Sequence, residues 1–226
     1  MTDLIIRIIP NFERASSELM QSFTQTIQMV FFSGLISFVF GVILGVSLVV
    51  MKRGGILENL IFYNILDKSI NIIRSVPFLI IIILLIPLSR FIMGTGIGVR
   101  GAIVPLVFGT VPFFSRQVET AVSEVNRGLV EASEAMGLTP LEIIFRVYLR
   151  ESIPALVRVT QITAINLIGL ATLAGAVGAG GLGDFAIRFG HQQRMTDLMW
   201  LTIIIILVMV SIIQGAGNII IKKTTK

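Results

Sequence analysis

Few residues in this sequence are equipped for chemistry. The chain has no cysteine and a single histidine, His191. That excludes disulfides, thiolate metal sites, a cysteine nucleophile and a histidine-rich metal centre. A His-Glu-x-x-His pattern is absent, and a serine–histidine pair could draw only on His191. His191 stands beside Gln192, Gln193 and Arg194, where it reads as a solvated residue or as a contact for another protein. The glycines Gly175, Gly178, Gly180, Gly181 and Gly183 do not fit Gly-x-Gly-x-x-Gly after a strand, and no Gly-Lys-Ser/Thr follows them. They end an apolar run instead. Ala171, Gly175 and Ala179 recur every four residues, a pattern suited to close helix packing and a flexible break. No catalytic, cofactor-binding or metal-ligating residue is assigned.

The remaining polar groups of interest lie in two places. Thr160, Gln161, Thr163 and Asn166 interrupt an apolar run. Thr163 and Asn166 are three apart, on one helical face, where they either bond a neighbouring helix or line a cavity. The second place is a polar stretch holding Glu131, Glu134, Gly137 and Glu142.

The elements that carry these groups follow from composition. Of 226 residues, 54% are apolar and only 14% charged, against roughly 25% charged in a soluble domain. Mean hydropathy is +0.92. Such a chain cannot cover a water-soluble globule, so it reads as an all-α integral membrane protein forming a single transmembrane domain over 1–226. Five apolar runs approach the roughly 20 residues a spanning helix needs. They lie at about 26–51, 75–93, 101–122, 154–177 and 198–221. Ser33, Ser37, Gly41 and Gly45 form a small-residue stripe on the first, suited to helix contact. Ahead of it, the apolar run at 4–9 is too short for a cleavable signal, and 11–25 reads as an interfacial helix or a loosely ordered lead-in.

Lys and Arg set the orientation. Twelve lie on the side holding the Lys52–Arg74 loop, the Arg116–Arg158 region and the C-terminus. Six (Arg7, Arg14, Arg90, Arg100, Arg188 and Arg194) lie on the other. The N-terminus is therefore expected outside and the C-terminus inside. The net charge of +5 is accounted for by these flanks rather than by nucleic-acid binding.

Between spans three and four, at about 123–153, the chain is too polar to cross a membrane but has strong local signals. Leu129 to Met136 reads as a short helix with Glu131 in its first turn, closed by Gly137. Thr139-Pro140-Leu141-Glu142 is a capping box that starts a second helix reaching about Leu149. Leu129, Ala132, Ser133 and Met136 share one face of the first helix; Leu141, Ile144, Phe145 and Tyr148 share one of the second. This helix–turn–helix is either a connector or a docking element for a partner groove.

Glu131-Ala132-Ser133 with Gly137 resembles the EAA loop of ABC importer permeases. Arg150 stands where that family has proline, and Pro154 supplies the nearest substitute break. Arg74-Ser75-Val76-Pro77-Phe78, Ile86-Pro87-Leu88-Ser89-Arg90, Gly94-Thr95-Gly96-Ile97-Gly98 and the glycine-rich 174–184 resemble the methionine-uptake branch (D- and L-methionine). The resemblance implies five spans, a homodimer in the bacterial cytoplasmic membrane among its lipids, and alternating access. It also implies a cytoplasmic ATP-binding subunit, docked at the loop through Glu131, Ala132, Ser133, Met136, Gly137 and Leu138. That subunit would hold ATP and magnesium, leaving this chain without catalysis. An extracytoplasmic substrate-binding protein would deliver methionine, and Thr163 and Asn166 would line the path. The alternatives are a permease for another amino acid and an ATP-independent secondary transporter. The latter lacks a carboxylate near any span centre and an evident inverted repeat.

Overall fold

The computed structural model describes residues 10–224, and every regular element among them is a helix. The apolar run at 4–9, Arg7 and Lys226 lie outside the described residues. The first helix, α1 (Phe12–Met51), has 40 residues, which is about 60 Å at about 1.5 Å per residue. Among the described residues, no separate interfacial helix precedes the first span. Residues 11–25 hold no helix breaker, and the buried face Ala15, Leu19, Ser22 runs straight on into Thr26 and Met29. Gly54, at φ +74°, follows the end of the helix.

The run expected to form span two, at about 75–93, is preceded by a further helix and is itself divided. Helix α2 (Leu60–Ser75) comes first, its N-terminus capped by Asn59, whose side chain accepts from the Phe62 amide at 3.1 Å. Val76 is then extended (φ −86°, ψ 127°), as the residue before a proline tends to be. Beyond Pro77, α3 (Phe78–Leu84) and α4 (Ile86–Met93) are separated by Leu85, with Pro87 in the first turn of α4.

Helix α5 (Gly98–Ser123) is followed by the polar stretch with α6 (Arg127–Ala135), α7 (Pro140–Ile143), a π turn (Ile144–Tyr148) and α8 (Leu149–Glu151). Helix α9 (Ile153–Ala174) then runs into a second π-bonded stretch (Gly175–Ala179) that is broken within by a kink at Val177 and Gly178. Helix α10 (Gly181–Phe185), a third π turn (Ala186–Gln192) and α11 (Thr196–Thr224) complete the chain. Among the described residues, four segments are long and apolar enough to cross a membrane: Phe12–Met51, Gly98–Ser123, Ile153–Ala179 and Thr196–Thr224. They contain the expected spans at 26–51, 101–122, 154–177 and 198–221.

The chain forms two compact units, and each long helix contributes to both. One holds the residues up to Leu35, Pro77–Phe108 and Ala164–Ile213. Its core has two clusters. Ala15, Leu19, Leu182, Phe185 and Leu198 make one; Met29, Ile82, Leu106, Leu167 and Ala171 make the other. The second unit holds Ile36–Val76, Gly109–Thr163 and the residues from Gln214 on. Val46, Val49, Phe114, Val118, Val130, Ile143 and Tyr148 form its core.

In the second unit the small-residue stripe of α1 meets α5. A Cβ on Gly41 would lie 2.4 Å from a Phe114 ring carbon, and one on Gly45 would lie 2.6 Å from the Ser115 carbonyl oxygen. Glycine here allows the helices to touch backbone to backbone. Gly45→Val is expected to destabilise the chain by about 1–3 kcal/mol, the usual cost of overpacking. Gly215→Ala, where nothing lies within 4 Å, is expected to leave the thermal unfolding midpoint in detergent unchanged.

Candidate coupling surface and glycine-rich break

The polar stretch of the second unit folds as two short helices whose ends are fixed by local chemistry. Helix α6 starts at Arg127, capped by Asn126, which accepts from the Gly128 amide at 2.8 Å. It starts earlier than expected, so Glu131 falls outside its first turn and pairs instead with Arg127 at 3.0 Å, both side chains exposed. Its end is a Schellman motif. The Gly137 amide donates to the Glu134 carbonyl at 2.9 Å and the Leu138 amide to the Ser133 carbonyl at 3.2 Å. Gly137 takes φ +81°, the left-handed conformation glycine adopts without cost.

Thr139 and Glu142 form the expected capping box. The Thr139 amide donates to the Glu142 carboxylate at 3.0 Å, and the Glu142 amide donates back to the Thr139 hydroxyl at 3.4 Å. The Thr139 amide, followed by its hydroxyl and then Arg146, holds the Glu142 carboxyl below its ordinary pKa. The second helix ends at Ser152, and Pro154 enters the first turn of α9, supplying the break that Arg150 does not.

The expected apolar faces divide between inside and outside. On α6, Val130 and Ser133 are buried, Ser133 donating to the Leu129 carbonyl at 2.7 Å. Leu129, Ala132 and Met136 are exposed. On the second helix the π turn adds one residue to the repeat, so Ile143 and Tyr148, five apart, are the buried pair. Ile144 is only half-buried, and Leu141 and Phe145 are 64% and 66% exposed. Burial first, and Glu134 next, push the Tyr148 phenol pKa up. The result is an outward apolar surface of Leu129, Met136, Leu141 and Phe145 with Glu131 and Glu134 exposed beside it. A cavity of about 180 Å³ adjoins it, lined by Lys52, Arg53, Arg127, Glu131, Glu134 and Tyr148 among others.

This unit also holds a second polar cluster that no sequence pattern announces. Arg116 of α5 donates to the side chains of Asp67, Glu119 (2.7 Å) and Asn71 (3.0 Å), and to the Asp67 carbonyl at 3.2 Å. Asp67 and Asn71 are one turn apart on α2, a helix hidden within the stretch read as a loop.

In the first unit the glycines make a tight reversal. Gly178, Gly180 and Gly181 all have φ between +79° and +90°. A Cβ on Gly183 would lie 2.0 Å from the Thr172 carbonyl oxygen, and one on Gly175 would lie 2.5 Å from the Asp184 amide. Two residues of α1 that sequence reading did not single out take the free amides. Gln25 accepts from Gly181 and Thr26 from Leu182, each at 2.8 Å. Arg188 pairs with Glu18 at 2.9 Å and with Asp184 at 3.4 Å, and Asn11 bonds Asp197 at 3.0 Å. His191 is exposed.

The polar groups of α9 have separate fates. Thr163 is buried and donates to the Val159 carbonyl of its own helix at 2.8 Å. Gln161 reaches the Gln214 carbonyl at 2.8 Å, in the space left by Gly217. Asn166 is half-buried, and its amide makes no hydrogen bond among the described residues.

A family model described as "binding-protein-dependent transport system inner membrane component" matches residues 37–226. The chain belongs to this family of transport-system membrane components. Within the family it is 42% identical to the probable D-methionine transport system permease protein MetI of Vibrio cholerae, over 94% of each chain. It is 47% identical to the D-methionine transport system permease protein MetI of Salmonella typhimurium, over 59% of this chain and 61% of that one. Among solved structures, one described as inward-facing conformations of the MetNI methionine ABC transporter superposes with a TM-score of 0.92 at 40% identity. The match covers 95% of this chain and 99% of that one. An amino acid ABC transporter crystallised with histidines, 16% identical, has the same fold at a TM-score of 0.77.

The capping box makes a pH prediction. A carboxyl whose folded pKa is depressed adds stability that is present above its unfolded pKa and lost as pH falls through the folded one. Hydrogen-exchange protection of the Thr139 and Glu142 amides is expected to fall on acidification below the normal carboxylate range. In Glu142→Gln that acid-dependent loss is expected to vanish.

Proposed function

We propose that this chain is the membrane-spanning permease subunit of an ATP-driven importer that moves methionine across the bacterial cytoplasmic membrane. The observation that carries the reading is the near full-length likeness to methionine permeases, at 42% identity. The outward surface on α6–α8 occupies the loop that such a permease would use for coupling. Two copies would work together, each engaging one cytoplasmic ATP-binding subunit. That subunit would hold ATP and magnesium and perform the hydrolysis.

The whole chain is read as one permease domain with five crossings, α3 and α4 together making the second, at about 75–93. The coupling loop spans about 123–153 and faces the cytoplasm, with the N-terminus outside and the C-terminus inside, in line with the distribution of Lys and Arg. Within the loop, Met136 offers an apolar contact, and Glu131 a charge for basic groups on the ATPase. Ala132 keeps the face low, Leu138 packs against the core from beneath, and the buried Ser133 bonds back to its own helix. Gly137 permits the turn and leaves its outer side empty, with nothing within 4 Å.

ATP-driven closure of the two ATPases would pull on these loops, and the permease would turn from inward-facing to outward-facing. The substrate-binding protein would then release methionine into an outward mouth at the glycine-rich break. Of the two groups on α9, Asn166 has an amide free to meet the polar backbone of a passing amino acid. Thr163 lies toward the interior and would shape the path by packing.

Two experiments test this reading. Mild-detergent extraction of the tagged chain is expected to recover an ATP-binding protein, and Gly137→Arg to lose it. Uptake without ATP would move the secondary-transporter reading to the front. In liposomes, Asn166→Leu is expected to lower methionine uptake at least several-fold while leaving ATPase recovery intact. Unchanged uptake would remove Asn166 from the path.

A further inference from the structure

The glycine-rich break has a fixed part and an open part. Ala174, Gly175 and Ala179 are buried, while Ala176, Val177 and Gly178 between them are exposed. Val177 leaves helical geometry (φ −112°, ψ 25°), Gly178 has φ +90°, and nothing lies within 4 Å of where a Gly178 Cβ would be. So a short apolar tip projects from a base held on both sides. One side of the base is held by backbone contact, through Gly175 against Asp184 and Gly183 against Thr172. The other is hydrogen-bonded to α1, through Gln25 and Thr26.

Thr26 is suited to this task. It is 1% exposed, and its hydroxyl donates to the Ser22 carbonyl at 3.0 Å. With its proton committed there, its lone pairs face the Leu182 amide. Leu182 is fully buried, so no solvent would replace this acceptor. The fit is close: a Cβ on Gly181 would lie 2.7 Å from the Thr26 hydroxyl, and one on Gly180 would lie 2.6 Å from the Gln25 carbonyl oxygen. Beneath the tip, Val177 and Ala179 join Ile82, Ile86, Gly96 and Ile97 in lining a small, mostly apolar cavity.

We propose that Ala176–Gly178 is an apolar gate, with Val177 as its closing side chain, and that Gln25 and Thr26 are positioning residues that hold it shut. The inference rests on the permease reading and deepens it by assigning the closure of the outer mouth. An apolar constriction excludes water and a zwitterionic amino acid by dewetting, without charge. Loss of the acceptor for the Leu182 amide leaves a buried donor unpaired in the closed arrangement. The balance then shifts toward open by a factor on the order of ten.

The test uses the whole complex, permease with its ATPase and binding protein, in liposomes loaded with labelled methionine. The readout is efflux without ATP, beside ATP-driven uptake. Thr26→Val, which keeps the shape and loses the hydroxyl, is expected to raise efflux several-fold, as are Gln25→Leu and Val177→Gly. Thr26→Ser, which keeps the hydroxyl, is expected to stay near the unaltered complex. A role confined to packing lowers uptake and assembly together and opens no leak, and that result would overturn the proposal. So would a tight Val177→Gly complex, whose test does not depend on Thr26→Val folding. If the unaltered complex performs no ATP-driven methionine uptake, the permease reading fails and the gate falls with it. If it does, and no variant leaks, the gate alone fails.

Discussion

Inside a membrane a backbone amide that leaves its helix has no water to turn to. Each must find an acceptor on the protein, and this requirement shapes the breaks within the apolar runs. Where α9 breaks, the amides of Gly181 and Leu182 are taken by Gln25 and Thr26. At Val76 the interruption falls at a proline, which has no amide to satisfy, and the Val76 amide itself reaches the Ile73 carbonyl. Elsewhere the helices absorb irregularity as π turns, at Ile144–Tyr148 and Ala186–Gln192, keeping the backbone bonded while shifting which side chains face inward.

Those shifts account for much of what was and was not legible in the sequence. Hydropathy found the four long helices because an apolar run of spanning length cannot be laid against water. Gly137, Thr139 and Glu142 were legible for a different reason: their roles are set by neighbours within three or four residues. The amphipathic α2 was missed because Asp67, Lys68, Asn71 and Arg74 break up its apolar residues, so that it read as a loop. The buried pair Ile143 and Tyr148 was missed because an α-helical repeat puts Ile144 and Tyr148 together, and a π turn has no residue signature of its own. Gln25 and Thr26 were invisible because their partners lie 156 residues away.

The candidate coupling surface divides buried from exposed side chains within one short motif. Val130, Ser133, Ile143 and Tyr148 face the core, and Leu129, Met136, Leu141 and Phe145 face out. The Schellman turn at Gly137 joins the two helices with neither a buried unpaired amide nor a projecting side chain. A rigid base under an apolar outer face can pass a displacement onward without first deforming.

The ties along the start of α1 are regularly spaced. Asn11 meets Asp197, Glu18 meets Arg188, and Gln25 meets Gly181, each seven residues after the last. Seven residues are almost two helical turns, so Glu18 and Gln25 project from one side of the helix, and Asn11, just ahead of its first residue, keeps the same spacing. The number of residues between Asn11 and Gln25 therefore sets an angle as well as a length. Adding or deleting a single residue there would turn the anchors on one side of the change by about 100° relative to those on the other. Substitution can be absorbed at many positions along this lead-in, but a change in its length cannot: even a step of seven, which restores the angle, moves one anchor about 10 Å from its partner.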